Sequence, residues 1–196
     1  MSKLDVIKEH LSDNFTNFAN FLEIELKSEF SVIDYQGQSF IIVQFQDNTF
    51  TIKINGVETV INGFDSSKVF NISNAKIVDF IPIDGKNGLL GFGTSHCDFV
   101  FFDENDFCFV EFKLNATSPE ERAIRNNRKK AVKQLENTIS WFNYKLAKNY
   151  AGLNLEAYVC TPASYPRFNS SWQELEISFL EDYGIKLFER NDKTCQ

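Results

Sequence analysis

Two adjacent apolar segments constrain the fold of this chain more than any other feature of its sequence. They are CDFVFF at 97–102 and FCFVEFKL at 107–114, and the polar residues 103–106 separate them. Aromatic and β-branched residues dominate both segments, which favours two β-strands joined by a four-residue turn. Because apolar side chains point to both sides of these strands, both faces must be covered. The sequence therefore predicts two buried strands at the centre of a sheet.

Ionisable side chains gather at one end of this predicted hairpin. A hairpin joined by residues 103–106 places Asp98 directly opposite Glu111, with Cβ atoms about 4.5–5.5 Å apart, so both carboxylates can share one divalent cation. Since strand side chains alternate, Lys113 lies on the same face as Glu111, and His96 faces Lys113 if the pairing continues. Charges at the end of a buried sheet carry a desolvation cost unless they are paired or metal-bound. The cluster is therefore a candidate site, and the alternative is a solvated group of ion pairs at the mouth of an ordinary hairpin.

An acidic residue stands two positions before a lysine at three places, namely 25–27, 84–86 and 111–113. The first place lies in a predicted helix, and the second opens a glycine-rich segment, 84–96. That segment lacks the G-K-[ST] ending of a phosphate-binding loop and does not open a helix, so it predicts turns or a flexible connection. Only the third place ends an apolar strand, beside Asp98.

The combination of these motifs resembles the PD-(D/E)xK nuclease superfamily. Asp98 lies in CDFVFF, Glu111-Phe112-Lys113 ends the next strand, and Lys133-Gln134-Leu135 lies in the helix predicted to follow. A glutamine at such a helical position is frequent in the RecB-like branch of the superfamily. The resemblance covers about residues 76–161, which is less than half of the chain.

The resemblance implies an α/β fold, with a restriction-endonuclease-like mixed sheet flanked by helices. It also implies a Mg²⁺-dependent endonuclease, in which Mn²⁺ can substitute, acting on the phosphodiester bonds of DNA. The sequence departs from the pattern at two positions. Cys97 stands where other members have a proline, and Thr138 stands where the RecB-like branch commonly has a tyrosine.

Roles for individual residues follow from the resemblance. Asp98 and Glu111 would bind the metal together with the carbonyl oxygen of Phe112. Lys113 would position or activate the attacking water. Gln134 would orient substrate or water, and its alternative is a helix-surface amide with no role. A bound metal ion would lower the pKa of its water and neutralise charge on the phosphate.

The charge distribution suggests where DNA would be held. The net charge is −7, which argues against sequence-independent binding of nucleic-acid phosphates over the whole surface. Residues 118–150 nevertheless carry eight basic and three acidic side chains in a predicted helix opened by SPEE. The basic stripe is either a phosphate-contacting surface or a solvated helix face that balances an acidic body. Its predicted DNA-binding residues are Arg122, Arg125, Arg128, Lys129, Lys130 and Lys133.

The N-terminal part shows a different pattern. Residues 3–27 have the apolar spacing of an amphipathic helix, and residues 32–64 alternate in short strands with turns at 47–48 and 55–56. We expect one domain, with a β-rich N-terminal meander and helix at 1–75 and the nuclease-like core at 76–196. The meander would serve packing, substrate contact or oligomerisation. Beyond residue 150 the pattern predicts a strand, a helix and a strand.

Other features of the sequence restrict the class of protein to which this chain can belong. The four cysteines form no C-x-x-C pair and accompany only two histidines, so a structural zinc site lacks ligands. No signal-peptide core or membrane span is predicted, which favours a cytoplasmic protein without a membrane partner. DNA is the expected partner, together with a second copy of the chain or another protein. The rival function is a catalytically inactive nuclease-like fold that acts as a nucleic-acid- or protein-binding subunit.

Overall fold

The computed structural model describes residues 2–91, 95–167 and 169–196, and within them it shows three helices and three sheets in a mixed α/β arrangement. The helices are α1 (Lys3–Asn14), α2 (Glu121–Lys145) and α3 (Ser170–Tyr183). The strands are β1 (Glu23–Glu25), β2 (Phe30–Tyr35), β3 (Gln38–Ile41), β4 (Gln44–Gln46), β5 (Thr49–Ile54), β6 (Val57–Asn62), β7 (Val69–Ser73), β8 (Val78–Pro82), β9 (Phe99–Phe102), β10 (Asp106–Phe112), β11 (Asn154–Cys160), β12 (Lys186–Phe188) and β13 (Asp192–Thr194).

The predicted hairpin lies at the centre of a six-stranded sheet with the order β1-β8-β9-β10-β11-β12. Strands β8, β9 and β10 are antiparallel neighbours, whereas β10, β11 and β12 run parallel. Phe102 pairs with Phe107 and Phe99 with Val110, which confirms the predicted register. All seven residues of β10 are buried, as expected for a strand covered on both faces.

Two different layers cover this central sheet. Side chains from α1, α2 and α3 pack on one face, around Ile7, Leu135 and Phe179. The other face packs against a second sheet with the order β13-β7-β2-β3. There the Phe70 ring lies within 5.3 Å of Tyr158 and 5.9 Å of Phe101, measured between ring centroids. A third sheet, with the order β4-β5-β6, forms the later part of the predicted meander, whereas β2 and β3 lie in the second sheet.

The N-terminal helix is shorter than the sequence predicts. Helix α1 ends at Asn14, Phe15 is extended and Asn17 is left-handed with φ of 59°. The predicted burial of Leu4, Ile7 and Leu11 is confirmed. The prediction of helix at 23–27 was wrong, because β1 instead pairs with the edge of β8 and satisfies its backbone hydrogen-bonding groups.

Other boundaries also differ from the sequence-based ones. Helix α2 begins at Glu121 rather than Ser118, and its cap residue Glu120 forms no side-chain cap hydrogen bond. Before the predicted turn at 47–48 the chain forms two short strands, β3 and β4, and β3 forms a hairpin with β2. Strand β11, helix α3 and strand β12 confirm the strand, helix and strand predicted beyond residue 150. In the glycine-rich segment, residues 92–94 lie outside the described residues.

Residues 1–75 and 76–196 share two of the sheets. Strand β1 lies in the central sheet, and the C-terminal strand β13 joins β7 of the second sheet. Lys193 of β13 is buried and forms ion pairs with Asp106 and Glu156, each at 2.7 Å. The boundary at residue 75 therefore does not separate two sheets. No helix in the described ranges is long and apolar enough to cross a membrane.

Candidate active site at the end of the central hairpin

The structure brings together the four predicted catalytic residues. Asp98 directly precedes β9, and its carboxylate accepts a hydrogen bond from the backbone N–H of Phe112 at 2.5 Å. Glu111 lies in the buried end of β10, and Lys113 follows that strand. The Lys113 N–H donates to the Cys160 carbonyl of the parallel strand β11 at 2.7 Å. Both the antiparallel and the parallel neighbour of β10 therefore position this end of the strand.

The Lys113 ammonium is surrounded by oxygen acceptors. It donates to the Glu111 carboxylate, to the Phe112 carbonyl at 3.2 Å and to the side-chain carbonyl of Gln134 at 2.9 Å. The Gln134 side-chain N–H in turn donates to the His96 carbonyl at 2.9 Å. The Glu111 and Lys113 side chains are 1% and 14% exposed, whereas Asp98 and Gln134 are half-buried. The Glu111–Lys113 pair is therefore not the solvated ion pair of the alternative.

Burial makes the two carboxylates of this cluster hard to ionise. It raises the pKa of Asp98 to about 7, against the lowering effect of the Phe112 N–H hydrogen bond. Burial also raises the pKa of Glu111 well above its ordinary value, and the negative charge of Asp98 adds to that effect. The Lys113 charge favours ionisation of both groups. A cation near both carboxylates therefore stabilises their charged forms.

Some oxygens of the cluster fit a hard divalent cation. Glu111 Oε2 is buried and has no hydrogen-bond partner, and Mg²⁺ prefers such carboxylate oxygens together with carbonyl groups. In this structure, the Lys113 ammonium contacts two of the predicted metal ligands, Glu111 and the Phe112 carbonyl. Within the described part of the chain, no three His, Cys, Asp or Glu side chains are already arranged as a metal-ligand set.

Two residues that the sequence analysis did not select also contribute to the cluster. The Thr138 hydroxyl accepts a hydrogen bond from the backbone N–H of Cys97 at 2.8 Å, which holds the chain just before Asp98. Its spacing of one helical turn from Gln134 was the available signal. The negative charge of Asp34, in the second sheet, contributes to the raised pKa of Asp98. No local motif marks Asp34, because its effect on Asp98 depends on the packing of two sheets.

Similarity to known proteins offers no independent route to the function. Family models, curated proteins and solved structures all give no match to this chain. The arrangement of the chain's own side chains is therefore the basis for any functional proposal.

The predicted DNA-binding residues on α2 fall into two groups. Five of them are exposed, and these are Arg122, Arg125, Lys129, Lys130 and Lys133. Lys130 precedes Gln134 by four residues, so it lies on the helix face that reaches the cluster. Lys133 is paired with Glu136 at 3.1 Å but remains largely in solvent.

Arg128 is a correction to the predicted DNA-binding set. Its side chain is 1% exposed and forms a bidentate ion pair with Glu189, with both hydrogen bonds at 2.7 Å. It also donates to the Pro166 carbonyl at 2.6 Å and lies over the rings of Tyr165 and Trp172. A guanidinium enclosed in this way cannot contact a phosphate. Arg128 instead connects α2 to the segment that precedes α3.

Proposed function

We propose that this chain is a metal-dependent nuclease with a restriction-endonuclease-like core that hydrolyses phosphodiester bonds of DNA. The observation that carries the proposal is the buried contact of the Lys113 ammonium with Glu111, beside Asp98, at the end of the central hairpin. Burying the charges of Glu111 and Lys113 costs several kcal/mol unless they interact favourably, so such a pair beside Asp98 is a candidate for function. The arrangement of three antiparallel strands, a helix and a parallel strand, as in β8, β9, β10, α2 and β11, also supports the resemblance.

The residues of the cluster have distinct tasks in this proposal. Asp98, Glu111 and the Phe112 carbonyl hold the divalent cation, which supplies Lewis-acid chemistry when bound. Lys113 provides a fixed positive charge beside the reacting phosphate and the attacking water. Gln134 holds the Lys113 ammonium through its side-chain carbonyl, and its N–H group is anchored on the His96 carbonyl. The low exposure of the cluster strengthens each of these electrostatic interactions.

The test is incubation of the purified protein with single-stranded DNA, duplex DNA and RNA. Each substrate is combined with Mg²⁺, Mn²⁺ or a chelator, and the products are separated on a denaturing gel. We expect cleavage of DNA that requires the metal and is absent from Asp98→Asn prepared in parallel. Cleavage by both proteins at the same rate would show that the activity does not depend on Asp98, and would contradict the assigned site.

A non-cutting subunit is the second candidate, and the contact between Lys113 and Glu111 favours it. An ammonium that already satisfies a buried carboxylate stabilises the cluster without any metal. The net charge of −7 is also in keeping with a partner other than DNA. Calorimetry separates the two functions, because only the nuclease binds a divalent cation through Asp98. Absence of heat with both Mg²⁺ and Mn²⁺ would favour the non-cutting subunit.

A further inference from the structure

Strand β6 is the longest edge strand of the three sheets. It stands last in the order β4-β5-β6 and pairs along all six of its residues with β5. The other edge strands, β1, β3, β4, β12 and β13, contain only three or four residues each. An edge strand presents unpaired backbone N–H and C=O groups, which favour pairing with a further strand. Within the described ranges, β6 offers the longest row of such groups.

Strand β6 lacks the features that usually protect an edge from pairing. Natural edge strands carry lysines, prolines or β-bulges. The β6 sequence VETVIN contains neither residue type, and its register with β5 is continuous. Its single charged residue, Glu58, lies opposite Lys53 of β5, and Val57 and Val60 are each 65% exposed. The strand itself therefore does not oppose the addition of another strand.

The hydrogen bonds of the β5–β6 hairpin determine which backbone groups of β6 point away from the sheet. The Gly63 N–H donates to the carbonyl oxygen of Asn48 at 2.7 Å, and these two residues continue the register of the two strands. Hydrogen-bonded and non-hydrogen-bonded pairs alternate along antiparallel strands. Counting back from Gly63 in steps of two, the residues direct their backbone groups to β5. The groups of Glu58, Val60 and Asn62 therefore point outward, and all three residues are exposed.

A second copy of β6 matches this edge in one antiparallel register. A two-fold axis perpendicular to the sheet brings the outward-pointing residues of the two copies together. With the axis at Val60, Glu58 lies opposite Asn62 of the second copy, and each of the three pairs can form two backbone hydrogen bonds. An axis at Glu58 would place two like charges opposite each other. An axis at Asn62 would pair Val60 with a residue beyond the end of the strand.

The side chains are complementary in the register centred on Val60. On each side of the axis, the Asn62 amide of one copy can donate a hydrogen bond to the Glu58 carboxylate of the other. At the axis the two Val60 side chains meet, and this contact covers apolar surface that is 65% exposed in a single chain. Cross-strand pairs of these kinds stabilise a sheet. The same edge therefore supplies both halves of a self-complementary interface.

We propose that two copies of this chain associate through β6 and join their three-stranded β4-β5-β6 sheets into one continuous sheet. The inference is independent of the proposed nuclease function. It selects oligomerisation among the roles expected for the N-terminal meander. A strand from another protein would gain the same backbone hydrogen bonds. The opposition of Glu58 to Asn62, and of Val60 to itself, instead favours a second copy.

Sedimentation velocity of the full chain over a range of concentrations measures the association of the wild type and of two charge variants. Val60→Glu places two new carboxylates opposite each other at the axis, close to Glu58 of both copies. We therefore expect it to weaken dimerisation at least about tenfold. Val57→Glu is the matched control, because Val57 is equally exposed in the same strand but would lie opposite Gly63 of the second copy. It should dimerise like the wild type.

A cysteine cross-link tests the register. Opposite residues of a hydrogen-bonded antiparallel pair have Cα atoms about 5.5 Å apart, which a disulfide can span. Val60→Cys should therefore form a cross-linked dimer with oxidised glutathione, and the four native cysteines are buried. Thr59→Cys should not, because Thr59 lies opposite Ile61 of the second copy. A wild-type chain that stays monomeric at its highest soluble concentration would overturn the proposal, and so would a dimer that Val60→Glu leaves unchanged.

Discussion

The side-chain carbonyl of Gln134 accepts a hydrogen bond from the Lys113 ammonium at 2.9 Å. Gln134 also donates to the backbone carbonyl of His96, so one amide on α2 contacts the residues that flank both strands of the central hairpin at their charged end. A helix-surface amide without a role would have no reason to bridge these groups. The orientation of the Lys113 side chain therefore depends on α2 as well as on the strand that carries it.

Loss of the Gln134 amide should lower activity less than loss of a metal ligand. In Gln134→Ala, Lys113 keeps its contact with Glu111 but loses one acceptor, so we expect turnover to fall about tenfold. Asp98→Ala should abolish cleavage. Steady-state kinetics measures both effects. Asn137→Ala is the matched control, because the Asn137 amide donates to the Ser95 carbonyl one helical turn farther along α2. Equal kinetics for the Gln134 and Asn137 variants would contradict an orienting role.

The Lys113 and Glu111 side chains should stabilise the fold as a pair. The Glu111 side chain is 1% exposed, so its charge depends on the Lys113 ammonium beside it. Removing one partner of a buried ion pair costs about 3–5 kcal/mol. We expect Lys113→Met to lower the free energy of unfolding in urea, and Glu111→Gln added to it to restore part of that loss. Cleavage should be absent from both variants. Additive effects on stability in this double-mutant cycle would show that the two side chains are not coupled.

Arg128 should matter for stability rather than for DNA binding. Replacing it with alanine leaves Glu189 buried without its counter-charge, which should lower the free energy of unfolding by about 3–5 kcal/mol. Arg125→Ala, three residues earlier on the same helix but exposed, should change it by less than about 0.5 kcal/mol. Chemical denaturation of both variants tests the difference. Similar unfolding midpoints would mean that the pair with Glu189 contributes nothing measurable.

The exposed basic residues of α2 should set the salt dependence of DNA binding. Each phosphate contact contributes about −0.9 to the slope of log affinity against log salt concentration for duplex DNA. Replacing both Arg125 and Lys129 with glutamine should therefore flatten the slope by roughly one to two units, while metal binding is retained. The control removes the same charge from exposed lysines elsewhere, in Lys76→Gln with Lys186→Gln. An unchanged slope for the α2 variant would assign DNA binding to another surface.

Local patterns predicted a large part of the candidate site. The register of the central hairpin followed from the length of one turn, and alternation along β10 then placed Glu111 and Lys113 on one face. The buried stripe of α2 followed from helical spacing in the same way. The end of α1 was predicted less well, because the residues after it pair with β8, and a strand partner distant in sequence leaves no periodic signal in the helix.

By itself, the sequence determined the central hairpin, its covering helices and the meeting of Asp98, Glu111 and Lys113, since all of these follow from periodicity and short-range pairing. Only the tertiary structure determined the surroundings of the Arg128 and Asp34 side chains. Arg128 has the helical spacing of the exposed basic residues, yet Glu189, sixty-one residues away, encloses its guanidinium. The charge of Asp34 raises the pKa of Asp98 because two sheets pack together. Such long-range contacts depend on how complete layers fit, and no window of neighbouring residues contains that information.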